Sequence, residues 1–301
     1  MTLHVFLQQI VNGLILGSFY ALVALGYTMV YGVIKLLNFA HGDIYMVGAF
    51  LAYAILSVVT GMLGAGWGGI TISMILSMIA VGFLGVLIDR VAYRPMLAAP
   101  RLSILITALA VSLVLRNAAL VITNGQFTAF SVSLGFSGVH LGSIFITYTK
   151  IILVATSAVL MIALELFVSR TMYGKAMRAV AIDMDMCRLM GINVTRVISI
   201  TFFTGSALAA AAGTMAGVYY GSVWYFMGFL IGIKAFTAAV IGGIGSIPGA
   251  MLGGLILGLL EAIGTQFVGS EWKNVFAFAI LILVLVVKPT GLLGQPEVER
   301  M

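Results

Sequence analysis

Residues 170–196 read RTMYGKAMRAVAIDMDMCRLMGINVTR, and they lie between two apolar segments, 144–168 and 196–220. Each apolar segment is long enough to cross a bilayer as an α-helix, which takes about 20 residues. The stretch between them is the longest charged run in the chain, with five basic residues and two aspartates. We therefore expect two membrane helices joined by a charged loop that lies outside the membrane.

The composition of the whole chain extends this prediction. Of its 301 residues, 62% are hydrophobic and 8% are charged, and the mean hydropathy is +1.20. A soluble protein carries about a quarter charged residues, so we predict an all-α polytopic membrane protein. The expected spans, about nine in number, are 5–30, 40–60, 69–89, 102–123, 144–168, 196–220, 228–244, 249–267 and 274–288. The seventh and ninth are short enough to be broken or re-entrant, and the first apolar run extends to Leu37, which leaves room for a kinked or split helix.

The basic residues predict the orientation, because cytoplasmic loops of membrane proteins are enriched in Lys and Arg. The loops after the third and fifth spans and the C-terminal segment hold ten of the 15 basic residues. We therefore place these loops and the C-terminus in the cytoplasm and the N-terminus outside. The loops expected outside are poor in charge and lie near 61–68, 124–143, 221–227 and 268–273.

Glycine patterns predict close helix packing and broken helices. Small residues recur every four positions at Gly213, Gly217 and Gly221, at Gly249 and Gly253, and at Gly254 and Gly258, a spacing that lets membrane helices approach closely. Two segments, 36–50 and 235–254, share the order helix, polar or glycine break, helix. They are candidates for corresponding parts of an internal inverted repeat, in which broken helices line a central pathway.

Several ionisable residues fall within predicted spans, where charge is costly unless it is paired or faces water. Asp89 and Glu165 lie near cytoplasmic helix ends beside Arg90 and Arg170, and we predict interfacial ion pairs there. Arg116 lies deeper, so it either extends towards the membrane surface or faces a water-filled route.

Two further sets of polar residues have both a structural and a functional interpretation. Lys234 and Glu261, on neighbouring spans joined by the GGIGSIPG turn, form either a structural salt bridge or part of a polar path. At the start of the second span, Asn38 or Asp43 is expected to cap the helix, and the same cluster, with His41, is also compatible with a broken helix at a gate. The residues that we consider for a pathway or gate are Lys234, Glu261, Arg116, Asn38, His41, Asp43, Gly242, Gly243 and Gly245.

The sequence offers little support for an enzyme or for a metal site. It has one cysteine and three histidines, His4, His41 and His140, without metal-binding spacing. A Gly-Phe-Ser-Gly stretch at 135–138 is similar to that of intramembrane serine proteases, but no later helix carries a histidine base. The positive charge lies mostly in short loops, so we expect membrane lipid around the chain and no nucleic acid.

The charged loop has the pattern of a docking helix. Apolar residues recur at spacings of three or four at Met177, Val180, Met184, Cys187 and Met190, which predicts one short amphipathic helix. Gly191 is placed to end it as a C-cap. A methionine-rich stripe suits an adaptable protein interface, and the alternative is a helix that lies on the membrane surface.

Long stretches of the chain resemble the H-type permease subunit of bacterial high-affinity branched-chain amino-acid ABC importers, the Liv system. They are LQQIVNGLILGSFYALVALGYTMVYG (7–32), LLNFAHGDIYMVGAF (36–50), VAYRP (91–95), LMGINVTRVISITF (189–202), AFTAAVIGGIGSIPGAMLGGLILG (235–258) and KPTGLLGQPEVER (288–300). The resemblance covers nearly the whole chain. The loop at 125–142 departs from it by being shorter.

The resemblance implies a single transmembrane permease domain, 1–301, that works by alternating access in the inner membrane and imports leucine, isoleucine and valine. It implies four kinds of partner contact: a second homologous permease, two cytosolic ATP-binding subunits that hold ATP and magnesium, a periplasmic solute-binding protein, and lipid. The chain itself is expected to need no cofactor. The loop 170–196 would be the coupling element, with the coupling role carried by Tyr173, Gly174, Arg178, Ala179, Asp183, Leu189, Gly191 and Ile192.

Other solutes and another mechanism remain open from the sequence. Related permeases carry urea, short amides or other amino acids, so the same fold is compatible with a different solute. An ion-coupled secondary carrier, with Glu261 as its titratable acid, is the alternative from a different class.

Overall fold

The structure is a computed structural model that describes residues 3–63, 66–96, 99–130, 138–141 and 144–294. Within these ranges the chain forms eleven α-helices: α1 (Leu3–Ile34), α2 (His41–Leu63), α3 (Trp67–Ile88), α4 (Arg101–Thr123), α5 (Tyr148–Arg170), α6 (Met172–Ile182), α7 (Met184–Leu189), α8 (Val194–Tyr220), α9 (Met227–Gly242), α10 (Ile247–Val268) and α11 (Lys273–Val287). A π-helical turn (Asp89–Tyr93) and a 3-10 turn (Arg94–Met96) follow α3, and another 3-10 turn (Ser270–Trp272) precedes α11.

The helices confirm the predicted all-α membrane fold. In the described part of the chain, eight helices are long and apolar enough to span a membrane, and α9 is an apolar helix of 16 residues. Together they match the nine expected segments, of which the seventh and ninth are short as expected. The ninth reaches 18 residues only with the 3-10 turn that precedes α11. The long first run does not hold a split helix, because α1 continues unbroken to Ile34 and the break follows at Lys35, which has φ +54°.

Helix α1 lies at the centre of the bundle and is almost wholly buried. It packs antiparallel against α10, since Gly13 meets Leu259, Gly17 meets Leu255 and Gly32 meets Gly245. At the first two of these contacts a side chain on the glycine would overlap the neighbouring backbone. On the α10 side, Gly254 and Gly258, which have the four-residue spacing, lie directly against Ala21 and Gly17, so the predicted close backbone approach is present there.

Segment 235–254 has the predicted order of helix, break and helix, whereas segment 36–50 holds only the non-helical residues 36–40 and the start of α2. The two segments lie in the helix pairs α1–α2 and α9–α10. They pack on one another, α1 against α10 and α2 against α9. This pairing brings the end of α1 and the glycine turn between α9 and α10 to the same end of the bundle, where Gly32 meets Gly245. That the two units form an inverted repeat stays a prediction.

Two short antiparallel ladders, which the sequence did not predict, lie at one end of the bundle. Strand β1 (Thr128–Ala129) pairs with β4 (Ser222–Val223), with Thr128 opposite Val223, and β2 (Gly138–Leu141) pairs with β3 (Ile144–Thr147). We call this the strand end and the opposite end, which carries α6 and α7, the α6–α7 end. Residues 131–137, which include most of the Gly-Phe-Ser-Gly stretch and part of the loop at 125–142, lie outside the described residues.

Candidate functional site

Helix α2 begins inside the bundle rather than at its end. The imidazole of His41, the first residue of α2, lies against Gly26 of α1 and close to Gly205 of α8. Gly26 is eight residues before the end of α1 at Ile34, or about 12 Å along the helix axis. The segment 35–40 therefore turns back into the bundle, and α2 starts from a break inside it. That this break forms a gate stays a prediction.

The first turns of α2 and α9 meet in the interior. The backbone of Gly42 packs directly on Gly228 and Gly232, and neither side of this contact has room for a Cβ. Each helix carries a partial positive charge at its N-terminus. The carboxylate of Asp43 lies in the first turn of α2, and its Cα lies beside Gly228. A negative charge at this point is therefore favourable for both helices.

Asp43 is also paired with Arg116 of α4. Its Oδ2 atom lies 3.2 Å from the guanidinium and accepts a hydrogen bond from Ser112. The guanidinium carbon lies 5.0 Å from the ring centre of Phe226 and 4.7 Å from that of Phe229, as in cation–π contacts. Arg116 is thus held inside the protein, and the expectation that it extends towards the membrane surface is wrong.

The expected side-chain cap at the start of α2 does not form. Asn38 Oδ1 accepts a hydrogen bond of 2.7 Å from the Tyr93 hydroxyl instead of one from a backbone amide. Asp43, the other candidate cap, is used by Arg116 and Ser112. The sequence identified the polar residues but not their partners, which come from α4 and from the turn after α3.

Unpartnered polar atoms concentrate around this break. Five buried side-chain polar atoms of the described residues lack a hydrogen-bond partner, and four of them lie on the last turns of α1, the segment 35–40 or the first turns of α2: Thr28 Oγ1, Asn38 Nδ2, His41 Nε2 and Tyr45 Oη. Such groups are costly to bury without a partner. Their concentration here is typical of a functional polar region rather than of a simple packing core.

A second buried charge cluster surrounds Glu261 of α10, which has no exposed surface. Lys234 of α9 lies 3.1 Å from its carboxylate, Lys273 of α11 lies 3.0 Å away, and the Tyr20 hydroxyl donates to it at 3.0 Å. The predicted salt bridge between Lys234 and Glu261 is therefore present. Lys273 and Tyr20, the other two members, were missed because they lie far from it in sequence.

A cavity of about 440 Å³ opens beside this cluster at the strand end. Lys234 and Lys273 contribute to its lining, together with Tyr45, whose buried hydroxyl has no hydrogen-bond partner. Aromatic and aliphatic residues make up most of the remaining wall: Phe127, Tyr220, Trp224, Met227, Leu230 and Ile231.

The glycine turn between α9 and α10 lies at the α6–α7 end. Gly243 and Gly245 have φ values of +101° and +98°, which strongly favour glycine. The C-terminal segment is fixed to this turn, since the amides of Leu292 and Leu293 donate to the carbonyls of Ile241 and Gly242 at 2.8 and 2.9 Å. Gly242, Gly243 and Gly245 are thus far from the Asp43 and Glu261 clusters, and the predicted pathway residues fall in three places.

A cleft of about 620 Å³ lies next to this turn. It is lined by Lys35 at the α1 break, Glu165 of α5, Arg178 of α6 and the turn residues 244–248. The cleft therefore touches the α1–α2 break, the α9–α10 turn and the charged loop at once.

The charged loop folds into two helices, where the sequence predicted one. The Asp183 carboxylate separates them, accepting from the amides of Asp185 and Met186 at 2.9 and 3.0 Å as the N-cap of α7. Gly191, with φ +80°, ends α7 in a Schellman motif, since the amide of Ile192 donates to the carbonyl of Cys187. The C-cap predicted at Gly191 is therefore confirmed.

Two contacts fasten α6 to the end of α5. Gly174 packs directly on the backbone of Val168, and the Arg178 guanidinium donates to the Val168 carbonyl. The Thr171 hydroxyl caps α6 by accepting from the Gly174 amide at 3.1 Å. A displacement of α6 would therefore be passed to α5.

The apolar stripe of the loop does not face outward as a docking surface. Met177, Val180 and Cys187 are buried in the core of the bundle. The exposed apolar side chains are mostly outside the predicted stripe, at Met172, Tyr173, Ile182, Met186 and Leu189, and Met190 is the member of the stripe that is exposed. Leu189 is 83% exposed and Met190 81%, so an apolar surface remains open at this end, with Ala179 half-buried behind it.

The ion pairs predicted at the same end differ from those found. Asp89 pairs with Arg94 at 2.5 Å and accepts from Ser199 at 2.9 Å, rather than pairing with Arg90. The π-helical turn after α3 explains this, because it carries Arg94 back towards Asp89. Glu165 has no ion pair with Arg170 among the described residues and faces the cleft instead.

Comparison with known proteins identifies the family of the chain. A family model described as the permease component of the branched-chain amino acid transport system matches residues 9–285. The chain belongs to this family of permeases. The permease is 45% identical over 303 residues to the high-affinity branched-chain amino acid transport system permease protein BraD of Pseudomonas aeruginosa, and the match covers 98% of each chain.

Further relatives carry the same description. The permease is 45% identical over 302 residues to the LivH protein of Escherichia coli K12, which covers 98% of this chain and 97% of the relative. It is 28% identical over 314 residues to a probable branched-chain amino acid transport permease protein of Methanocaldococcus jannaschii, with 95% and 92% covered. The resemblance seen in the sequence is thus confirmed, and the chain is a multi-pass transport subunit rather than an enzyme.

Proposed function

We propose that this permease moves leucine, isoleucine and valine across the bacterial inner membrane as a membrane subunit of an ATP-binding-cassette importer. The observation that carries the proposal is the 45% identity, over 98% of the chain, to relatives described as high-affinity branched-chain amino acid permeases. The matched length spans the polar clusters, the breaks and the charged loop alike.

The assembly that we propose has a second homologous permease, two cytosolic subunits that bind ATP and magnesium, and a periplasmic solute-binding protein. The α6–α7 end faces the cytosol with the C-terminus, and the strand end faces outward. The exposed apolar side chains on α6 and α7 support docking of the ATP-binding subunits there, because such side chains are unfavourable in water. No further cofactor is needed in this chain, which acts as one permease domain over 1–301.

The transport step that we propose is alternating access. Closure of the ATP-binding subunits displaces α6, and the contacts of Gly174 and Arg178 with Val168 pass this motion to α5. The cleft beside Lys35 and the α9–α10 turn then changes shape, because Arg178 and Val168 are part of its wall. The route runs from the strand-end cavity past the inner ends of α2 and α9 to this cleft.

Solute uptake tests the proposal. Cells that lack their own branched-chain amino acid transport receive the complete operon with or without this permease, and uptake of labelled leucine is measured. We expect uptake only with the permease, inhibited by isoleucine and valine and unaffected by excess urea or acetamide. Inhibition by urea or acetamide instead would assign the permease to the related solutes, and uptake that persists without the permease would refute the proposal.

A further inference from the structure

The strand-end cavity carries an excess positive charge. Two lysines, Lys234 and Lys273, face one carboxylate, that of Glu261, and no other carboxylate in the described chain pairs with either lysine. The carboxylate already accepts from both lysines and from the Tyr20 hydroxyl. Lys273 Nζ has three donor hydrogens and one acceptor in the described chain, so donors remain towards the cavity that its side chain lines.

An unpartnered hydroxyl belongs to a residue in the wall of the same cavity. Tyr45 is fully buried within the protein, its Oη atom has no hydrogen-bond partner, and the residue forms part of the cavity wall. A buried hydroxyl without a partner is unfavourable by about 1–3 kcal/mol. A ligand oxygen in the cavity would give this hydroxyl an acceptor.

The rest of the wall is suited to an aliphatic group. Trp224 stacks on Phe127 with ring centres 5.3 Å apart, and both line the cavity with Met227, Leu230 and Ile231. Ser222, Ser270 and Asn274 add neutral oxygen acceptors that suit an ammonium group. The volume of about 440 Å³ lies within the range of about 300–1,000 Å³ that is typical of small-molecule sites.

We infer that this cavity is a transit site for a free α-amino acid with an aliphatic side chain. The α-carboxylate binds Lys273 and the Tyr45 hydroxyl, and the side chain lies against Trp224 and the aliphatic wall. The α-carboxylate gives Lys273 a second counter-charge, and the neutral oxygens of Ser222, Ser270 and Asn274 accept from the α-ammonium group, which together favour the solute over water at the entrance to the route. The inference rests on the proposed function, because it identifies where the solute released at the outer face first binds.

Tryptophan fluorescence tests the site without the solute-binding protein. The chain has three tryptophans, so the Trp67→Phe/Trp272→Phe variant reports on Trp224 alone. The purified complete transporter with this permease is titrated with L-leucine, with 3-methylbutylamine, which lacks only the carboxylate, and with sodium chloride at equal ionic strength. We expect a saturable change in Trp224 fluorescence with L-leucine and none with 3-methylbutylamine or sodium chloride.

Two substitutions probe the two ligand contacts. Lys273→Gln is expected to weaken leucine binding at least ten-fold while Glu261 keeps Lys234 and Tyr20. Tyr45→Phe is expected to weaken it about three-fold or more, and its fold is unaffected because the hydroxyl has no protein partner. Lys288→Gln, at the opposite end of α11, serves as the matched control and leaves binding unchanged.

Leucine uptake by the same preparation, reconstituted with the binding protein and ATP, separates the two proposals. If the transporter takes up leucine but Trp224 fluorescence shows no saturable response, the transit site is overturned and the proposed function stands. The same holds if the response is present but Lys273→Gln and Tyr45→Phe leave it unchanged. A response that requires the carboxylate, in a transporter that moves no branched-chain amino acid, supports the site as one for α-amino acids and overturns the proposed solute.

Discussion

Asp43 and Arg116 are 73 residues apart in sequence, yet their side chains pair at 3.2 Å inside the bundle. The pair joins the inner end of α2 to the middle of α4. It also places a carboxylate beside the N-terminus of α9, where the helix dipole favours negative charge. A single acidic residue thus stabilises a buried cation and two helix starts that would otherwise meet with like partial charges.

Replacing Asp43 with Asn is therefore expected to destabilise the permease strongly. The substitution leaves Arg116 buried without its counter-charge, a change that costs about 3–5 kcal/mol when one partner of a buried pair is removed. The variant is heated in detergent, and the folded protein that remains is measured by size-exclusion chromatography. We expect clearly less folded protein than for the wild type. The double variant Asp43→Asn/Arg116→Met removes both charges and should recover most of it.

The exposed pair of Asp185 and Arg188 provides the control for this experiment. Its side chains are 86% and 61% exposed, and such surface pairs contribute about 0.5 kcal/mol. Arg188→Gln should leave the unfolding temperature nearly unchanged. If Asp43→Asn lowers the unfolding temperature as little as Arg188→Gln does, the pair of Asp43 with Arg116 does not stabilise the start of α2.

Glu261→Gln distinguishes an ATP-driven permease from an ion-coupled carrier. The carboxylate is fully buried and holds two lysines, so its loss leaves buried cations unpaired and should reduce the amount of folded protein. The fraction that folds should still transport in an ATP-dependent manner. Uptake in proteoliposomes, with ATP or with an imposed proton gradient, is the measurement. Normal folding together with the loss of gradient-driven uptake would favour the carrier instead.

Leu189→Glu is expected to separate the permease from its ATP-binding subunits. Leu189 is exposed on α7 and packs against little of its own chain, so a carboxylate there should leave folding intact but disfavour an apolar interface. We expect co-purification of the ATP-binding subunits to fall at least ten-fold and uptake to be lost. Leu189→Met keeps the surface apolar and should behave as wild type. Unchanged association in the glutamate variant would exclude this face as the docking surface.

Two glycines of the coupling loop should respond differently to alanine. A Cβ at Gly174 would overlap the backbone of Val168, so Gly174→Ala should displace α6 from α5 and reduce uptake severely. A Cβ at Gly191 meets nothing within 4 Å, so Gly191→Ala should cost only the backbone strain of φ +80°, about 1–2 kcal/mol. Unfolding temperatures and uptake, measured together, test this. Equal effects at the two positions would contradict the packing role of Gly174.

The sequence predicted the helices well because membrane spans leave a strong signal. A run of about 20 apolar residues with few charges has few other structures open to it, and each of the nine predicted segments contains a helix. The short strands were missed because pairs such as Thr128 with Val223 join residues far apart in the chain, and two or four residues carry no periodic pattern.

The partners of polar residues were harder to predict than their positions. Asp43, Arg116, Lys234 and Glu261 stand out in apolar segments, so the sequence identified all four. Their partners depend on which helix faces which, and Lys273 looked like an ordinary loop residue until α11 was placed beside α10. The spacing of Met177 and Val180 predicted a helix face correctly, but spacing alone does not say whether that face meets another protein or the core of its own chain.

Reconstitution of the purified complex tests most directly whether this chain is one permease subunit of an ATP-driven leucine importer. The tagged permease is isolated from native membranes in mild detergent, its co-purifying proteins are identified, and uptake of labelled leucine into proteoliposomes is measured with and without ATP. We expect recovery of a second permease and ATP-binding subunits, with leucine uptake that requires ATP and the binding protein. Recovery of this chain alone, with uptake driven by a proton or sodium gradient, would contradict it.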